Sequence, residues 1–291
     1  MASGTTKLIK RRIKSAKNIA QITKAMQMVA ASKMKRAQNL ALQSKPFAEK
    51  IYQATSRLAE RTDPSKHRLL KRHETVKKVL AVVITTNKGL CGSLNTNLLR
   101  ALDKWKTDKG FKLDFVTIGK KGQSYAVSSG GELLADFSDQ IPFTDNIPAL
   151  VKLATQAFLE NRYQEIWLVY NDFINALRQE PKFRKILPIE EIKKEGILEE
   201  KFEYLLEPSA KEILNSLLPF YLETQVRDAI LEAEASEHSA RMVAMKNATE
   251  NANVLMDSLT LEYNKLRQQS ITSEIADIAT AKVTMADAEV A

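Results

Sequence analysis

The sequence predicts an α/β fold in which a central globular domain is joined to two long helices that pair as an antiparallel coiled coil. Three observations support this fold class. Residues 5–45 and 220–291 contain neither glycine nor proline, the two residues that interrupt helices. Small and apolar residues recur in both segments at spacings of three and four. Between them, β-branched runs alternate with helical patterns, which is typical of a largely parallel sheet covered by helices.

The N-terminal segment carries three rows of residues at helical spacing. The first row is small and apolar and contains Ile9, Ile13, Ala16, Ala20, Ala30, Met34, Ala37 and Ala41. The second row contains Ile19, Ile22, Met26 and Val29. The third row contains Lys10, Lys14, Lys17 and Lys24. A solvated face explains the lysines, but one apolar row is enough to pair with one helix. The second apolar row therefore predicts a further partner, which can be another chain.

The C-terminal segment begins with a capping-box pattern, Ser209 followed three residues later by Glu212. Pro219 is then expected either to kink the helix or to mark a break in its first turns. Alanine-rich rows follow, which allow two helix backbones to approach closely; they are Val226, Ala229, Ala233, Ala240 and Val243, then Met245, Ala248, Ala252, Leu255 and Leu259. A last apolar row contains Ile271, Ile275 and Ile278. The C-terminal segment is about 30 residues longer than its N-terminal mate, so its end requires a surrounding partner.

The middle of the chain predicts a Rossmann-like domain. Strands are expected at 76–86, 112–118 and 165–170, helices at 94–105 and 149–160, and short edge strands at 186–189 and 202–206. The predicted organisation is an N-terminal coiled-coil helix at 1–60, a linker at 61–75, the α/β domain at 76–207 and a C-terminal coiled-coil helix at 208–291.

Two glycine-containing loops stand where a phosphate-binding loop would lie, after a strand and before a helix. Neither residues 87–95 (NKGLCGSLN) nor residues 119–122 (GKKG) match a phosphate-binding motif, so tight turns that need glycine φ angles are the better interpretation. No catalytic triad or carboxylate pair stands out, and His67, His73 and His238 lack metal-ligand spacing. The lone Cys91 can form no internal disulfide. We therefore predict no catalytic, cofactor or metal site.

The positive charge is concentrated at the N-terminus. The first 50 residues contain 12 Lys or Arg and one acid, Glu49, which gives +11, while the remainder contributes −2 to the total of +9. A basic helix attracts nucleic acid, anionic lipid or an acidic protein surface, and charge alone does not choose among them. A basic coiled-coil nucleic-acid-binding protein and a nucleotide-binding enzyme therefore remain alternatives at this point. No run of 18 apolar residues predicts a membrane span.

Three segments resemble the gamma subunit of F-type ATP synthases: residues 12–37, residues 89–95 (GLCGSLN) and residues 236–278. The last segment ends in the pattern of Ile271, Thr272, Glu274, Asp277 and Ile278. The resemblance covers residues 7–282 and implies a non-catalytic central-stalk rotor subunit of a proton- or sodium-translocating enzyme. The implied partners are the alpha and beta subunits of the catalytic ring, the epsilon subunit and the membrane c-ring, without nucleic acid and without direct membrane insertion.

The resemblance also implies contact residues. Those that match beta-subunit contacts are Lys24, Met26, Lys88, Cys91, Arg267, Gln268, Thr272 and Glu274. Tyr204 and Glu207 match the foot that meets epsilon and the rotor ring. Without the resemblance, a structural role is the favoured interpretation of each, for example Met26 as coiled-coil core and Arg267 as a helix-surface charge. The chain departs from many relatives at Asn87-Lys88, which replaces Asp-Arg, and at Leu206, where an aromatic residue is frequent.

The N-terminus lacks the apolar core of a secretory signal, and the helical pattern already begins at Lys7. No cysteine-bearing insertion separates Pro188 from Phe202, as it would in the redox-regulated chloroplast form. A bacterial subunit, peripheral on the cytoplasmic face of the plasma membrane, is therefore the expectation.

Overall fold

The computed structural model describes residues 2–61, 68–71, 76–189, 207 and 209–290. The helices in these residues are α1 (Ala2–Arg61), α2 (Leu94–Lys109), α3 (Lys120–Ser128), α4 (Ile147–Leu159) and α5 (Ala210–Val290), with a 3₁₀ turn at Phe143–Asn146. The strands are β1 (Lys78–Ile84), β2 (Lys112–Ile118), β3 (Leu133–Asp136), β4 (Glu165–Phe173) and β5 (Gln179–Leu187). The predicted candidate strand at 202–206 lies outside the described residues.

The five strands form one mixed sheet in the order β3-β2-β1-β4-β5. β1, β2, β3 and β4 pair in parallel, and β5 joins β4 in the antiparallel direction. β1 lies at the centre, where Val79 pairs with both Leu113 and Glu165. Its uninterrupted apolar run is explained by this position, because a central parallel strand is covered on both faces. The predicted Rossmann-like, largely parallel α/β domain is confirmed.

Alternate residues of β1 point to opposite faces of the sheet. Val79, Ala81 and Val83 pack with residues of α2 and α3 on one face. On the other face, Leu80, Val82 and Ile84 pack in one core with residues of α4 and α5. The α5 residues of that core are Leu214, Leu218, Leu222, Val226, Ala229 and Ile230. The first part of α5 is therefore a covering helix of the sheet, a role that its coiled-coil pattern alone did not indicate.

The chain divides into two compact units, residues 30–241 and residues 1–29 with 242–291. In the second of these, Ile9, Ala16, Met245, Ala252 and Leu259 are buried, and the hydroxyl oxygens of Thr23 and Thr249 lie 2.7 Å apart. Within each helix, successive buried residues of this group are seven positions apart, which is the period of a coiled-coil seam.

In the unit of residues 30–241, Ala30 and Ala37 continue the first apolar row and are buried. Tyr52 of α1 stacks near Tyr221 of α5 with ring centroids 6.0 Å apart, while Lys33 lies close enough to Glu237 to affect its pKa. Lys33 lies near Glu237, and Tyr52, which comes later in α1, lies near Tyr221, which comes earlier in α5. The two helices are therefore antiparallel. The predicted fold class is thereby confirmed.

The helix break allowed for at Pro219 does not occur, since α5 continues through Pro219, as α1 does through Pro46. The buried leucines on either side of Pro219, Leu218 and Leu222, hold these turns on the sheet, which compensates for the backbone hydrogen bond that proline removes. The predicted start of α5 is found, because the Glu212 N–H donates to the Ser209 hydroxyl at 3.3 Å.

Candidate functional site

The cleft between the carboxyl ends of β1 and β4 is the place where doubly wound sheets bind ligands. In this chain, side chains of α5 fill the cleft. Thr85, Thr86 and Asn171 meet Ala233 and Glu237 there, around a remaining space of about 10 Å³. This space holds at most a single water molecule, so the described cleft has no room for a nucleotide.

The N-terminus of α3, a second possible anion site, is occupied by side chains of the protein. The Gly122 N–H donates to the Thr85 hydroxyl at 2.8 Å, and the Lys120 N–H donates to Asn87 Oδ1 at 2.9 Å. The Lys121 N–H donates to the Thr86 carbonyl at 3.3 Å. These amides would bind a phosphate in a nucleotide site, and here they already have partners.

The glycines of this segment have two different roles. Gly119 adopts φ +102°, and a Cβ there would lie 2.2 Å from the Thr85 carbonyl oxygen. Gly122, predicted to lie in the same turn, is instead inside α3 and leaves space for the Thr85 hydroxyl, which a Cβ would approach to 3.0 Å. The interpretation as a tight turn is therefore correct for Gly119 and wrong for Gly122. In the other predicted turn it is correct for Gly92, at φ +60°, whereas Gly89 shows no positive φ.

The segment of residues 87–92, called here the 87–92 loop, projects from the carboxyl end of β1. Arg241 of α5 donates to the carbonyl oxygens of Lys88 and Gly89, both at 3.2 Å, and binds the Glu237 carboxylate at 2.7 Å. The Thr86 hydroxyl also donates to the Lys88 carbonyl, at 2.7 Å. The backbone at Lys88 is thus fixed from two directions.

The two predicted beta-contact residues of this loop differ in exposure. Lys88 is exposed, whereas Cys91 is only 2% exposed, with its sulfur 3.4 Å from Asn95 Nδ2. Cys91 therefore supports the loop from within, and the exposed apolar side chain of the loop is that of Leu90, at 63%.

On α1, Lys24 is exposed and Met26 is half-buried. The other three members of their apolar row, Ile19, Ile22 and Val29, are more than half exposed. The first apolar row, from Ile9 to Ala41, is buried or half-buried throughout. One of the two predicted apolar rows therefore packs on α5 and the other faces outward.

Toward the end of α5, the predicted contact residues Arg267, Gln268, Thr272 and Glu274 are all exposed. Two hydrogen bonds along the helix involve them, from Thr272 to the Gln268 carbonyl at 2.9 Å and between Ser270 and Glu274 at 3.3 Å. The last apolar row is also exposed, most strongly at Ile278 with 70%. At the foot, Glu207 is exposed, while Tyr204 and Leu206 lie outside the described residues.

A group of titratable residues on α5 was not singled out from the sequence. Burial, together with the nearby Glu237, raises the pKa of Glu234, while Lys33 and Arg36 oppose the shift. Burial raises the pKa of Glu237 against the effect of Arg241. Burial lowers the pKa of His238 to about 4, helped by Arg241 and Lys33. The sequence did contain a signal for this group. Its charged residues stand in an alanine-rich segment that is predicted to pack against another helix, where a solvated face is not expected.

Two negative findings apply to the part of the chain that the structure describes. It contains no group of three or more His, Cys, Asp or Glu side chains arranged to hold a metal ion. No helix there combines the length and apolar character needed to cross a bilayer.

Comparisons with known proteins identify the family. The profile of the family described as ATP synthase matches residues 5–284. The ATP synthase gamma chain of Herpetosiphon aurantiacus is 43% identical over 283 residues, covering 93% of this chain and 95% of that one. That of Methylacidiphilum infernorum is 45% identical over 295 residues, covering 97% and 99%.

A solved structure of the central stalk and c-ring of the Tetrahymena thermophila mitochondrial ATP synthase contains a similar chain. It matches with a TM-score of 0.55 and 28% identity, over 78% of this chain and 99% of that one. The chain belongs to the ATP synthase gamma chain family, whose members are the non-catalytic central-stalk subunit of F-type ATP synthases.

Proposed function

We propose that this chain transmits torque between the membrane rotor ring of a proton- or sodium-translocating ATP synthase and the catalytic beta subunits. Its partners in this proposal are the alpha and beta subunits, epsilon and the c-ring. The bacterial relatives support a peripheral position on the cytoplasmic face of the plasma membrane. The chemistry would belong to beta, and this chain would impose the sequence in which the beta sites change affinity.

The observation that carries the proposal is the exposed apolar row at the end of α5. Ile271, Ile275 and Ile278 recur at spacings of four and three and are 43%, 62% and 70% exposed. A continuous apolar face on a helix is unfavourable in water and marks a binding surface. A ring of alpha and beta subunits around this part of α5 would cover it, and Arg267, Gln268, Thr272 and Glu274 would supply polar contacts with beta.

The basic side of α1 supports the same assignment. Lys10, Lys14, Lys17 and Lys24 are all exposed, and an acidic lever on the beta subunit would complement them together with Lys88. Complementary charges favour the rate and specificity of association more than its affinity. Such contacts suit surfaces that must bind, release and bind again, and Met26 with its exposed row would add an apolar contact beside them.

The two alternatives from the sequence lose their basis. The basic row fitted nucleic acid on charge alone, and membership of the gamma chain family favours a protein partner. A nucleotide-binding enzyme would need the cleft beside β1, where Thr85 and α5 take the available space.

The test is to co-express the chain with the alpha and beta subunits of its own organism and measure ATP hydrolysis by the purified assembly. We expect a stoichiometric complex whose hydrolysis rate depends on the presence of this chain. Failure of the chain to co-purify with alpha and beta would refute the proposal. A titration of the isolated chain with duplex DNA at two salt concentrations provides the control, since nucleic-acid binding would weaken steeply with salt.

A further inference from the structure

The carboxamide of Asn87 joins the 87–92 loop to two other segments of the α/β domain. Asn87 Nδ2 donates to the Ser138 carbonyl at 2.8 Å, and Asn87 Oδ1 accepts the Lys120 N–H at 2.9 Å. An N–H group on one side and a carbonyl on the other fix the orientation of the amide. Ser138 follows β3 and Lys120 begins α3, so a single side chain ties three segments together.

Only a side chain with one donor and one acceptor satisfies both partners. An ionised aspartate accepts hydrogen bonds and donates none, so it would keep the Lys120 N–H and place a carboxylate oxygen against the Ser138 carbonyl. Asn87, which departs from the aspartate that the family resemblance leads one to expect, therefore has a structural role within this chain.

The tip of the loop is held in an unusual conformation. Leu90 has φ +63°, in the left-handed region that bulky side chains rarely occupy. Its side chain is 63% exposed, so burial of that side chain does not explain the conformation. Such backbone conformations persist where the surroundings impose them, and they cluster at binding and switch regions. Here Asn87 holds one end of the loop, and Arg241 holds the carbonyls of Lys88 and Gly89.

We propose that Asn87 is a positioning residue, which fixes the 87–92 loop so that Lys88 and Leu90 together meet a surface of the catalytic ring where a carboxylate lies beside an apolar patch. This inference rests on the proposed function. Asn87 itself does not touch the partner. It acts through Lys88 and Leu90, whose ordering it completes before the partner binds, and pre-ordering lowers the entropic cost of each contact.

The experiment uses the assembled complex in membranes and measures the rate of ATP synthesis. N87D removes the bond to Ser138, N87A removes both bonds, and N97D is the matched control. Asn97 is exposed in the first turn of α2 and bonds Ser93 of the same turn at 3.1 Å. We expect N87D to lower the rate about fivefold, the equilibrium effect of one lost hydrogen bond. N87A, which loses both bonds, should lower the rate at least as much, and N97D should match the unsubstituted complex.

A second arm separates positioning from a general role in folding. If Asn87 acts through the loop tip, adding N87D to the K88A/L90A variant should change the rate by less than about twofold, because coupled residues are not additive. Amide hydrogen exchange should be faster in N87D at residues 88–90 and unchanged in β1. The inference is overturned if N87D lowers the rate of ATP synthesis by the same factor in the unsubstituted complex and in K88A/L90A. It is also overturned if N87D has the same rate as N97D while K88A/L90A has a lower one. In the second case the proposed function stands, whereas loss of co-purification without any substitution would refute the proposed function itself.

Discussion

Replacing Arg241 by alanine is the most informative perturbation of the unit of residues 30–241, called the α/β unit below. The Arg241 and Glu237 side chains are only 13% and 15% exposed, and their charged atoms are 2.7 Å apart. The substitution leaves a nearly buried carboxylate without its cation and removes the donor to two carbonyls of the 87–92 loop. Removal of one partner from a buried ion pair costs about 3–5 kcal/mol. We expect Arg241→Ala to lower the free energy of unfolding of this unit by an amount in that range.

The loss should depend on pH, with a sign fixed by Glu237. Burial raises the pKa of Glu237 and Arg241 lowers it, so the substitution raises the pKa further. A carboxyl group whose pKa is higher in the folded protein than in the unfolded one destabilises the fold as pH rises through the interval between the two values. The cost of Arg241→Ala should therefore be larger at pH 8 than at pH 5.

Urea unfolding followed by tryptophan fluorescence measures this cost, because Trp105 and Trp167, the two tryptophans of the chain, pack edge to face in the α/β unit with ring centroids 5.2 Å apart. The added substitution Glu237→Gln should recover about 1–2 kcal/mol by removing the unpaired charge. Arg178→Ala is the matched control, since Arg178 pairs with Glu180 at an exposed position, and should cost less than about 1 kcal/mol. A cost for Arg241→Ala no greater than that of the control, or no recovery on adding Glu237→Gln, would refute the reasoning.

Three further results are expected. Truncation after Leu266 removes the exposed residues near the end of α5 that are proposed to contact beta. It should reduce ATP synthesis by the assembled enzyme while the tryptophan-monitored unfolding of the α/β unit stays unchanged, and normal synthesis would contradict the role proposed for that end. Gly119→Ala should prevent stable folding, because its Cβ would lie 2.2 Å from the Thr85 carbonyl oxygen at φ +102°, whereas Gly110→Ala, with open space around its Cβ, should leave a cooperative unfolding transition. For Asp114, burial opposes ionisation, but hydrogen bonds from Lys78, the Glu132 N–H and Tyr163 outweigh it and lower the pKa. Asp114→Asn should therefore reduce stability at pH 7, and its difference from the unsubstituted chain should shrink as pH falls through the lowered pKa; a difference independent of pH would argue against the ionised form.

The elements that sequence predicts well are those in which one residue pattern determines burial. β2 begins and ends at the predicted residues, and one of the two predicted apolar rows of α1 packs on α5, because each reflects a single periodicity. β5 shows the opposite case. It runs from Gln179 to Leu187 and contains Pro181 and four charged residues, so only its last residues were predicted. An edge strand tolerates proline and charge, and the pattern then resembles a loop.

Contacts between distant residues explain the other differences. Residues 119–122 were predicted to form a tight turn that needs glycine φ angles. Gly122 lies instead inside α3, and what favours glycine there is the Thr85 hydroxyl, 37 residues away in sequence. The link between Arg241 and Lys88 spans 153 residues. Neither relation leaves a local pattern in the sequence. The fold class was accessible from the sequence and the contact residues stay predictions, whereas the side chains that hold the 87–92 loop could not be identified from the sequence.

The same contacts connect the closed cleft with the exposed loop. In a doubly wound sheet, the carboxyl edge of the central strands gives its loops to a ligand. In this chain, Thr85 binds the first turn of α3 and Glu237 lines the narrow space beside β1, so that edge meets a helix of its own chain. Glu237 also holds Arg241, which binds the loop backbone. Closure of the cleft and the fixed backbone at Lys88 are therefore two consequences of one set of contacts.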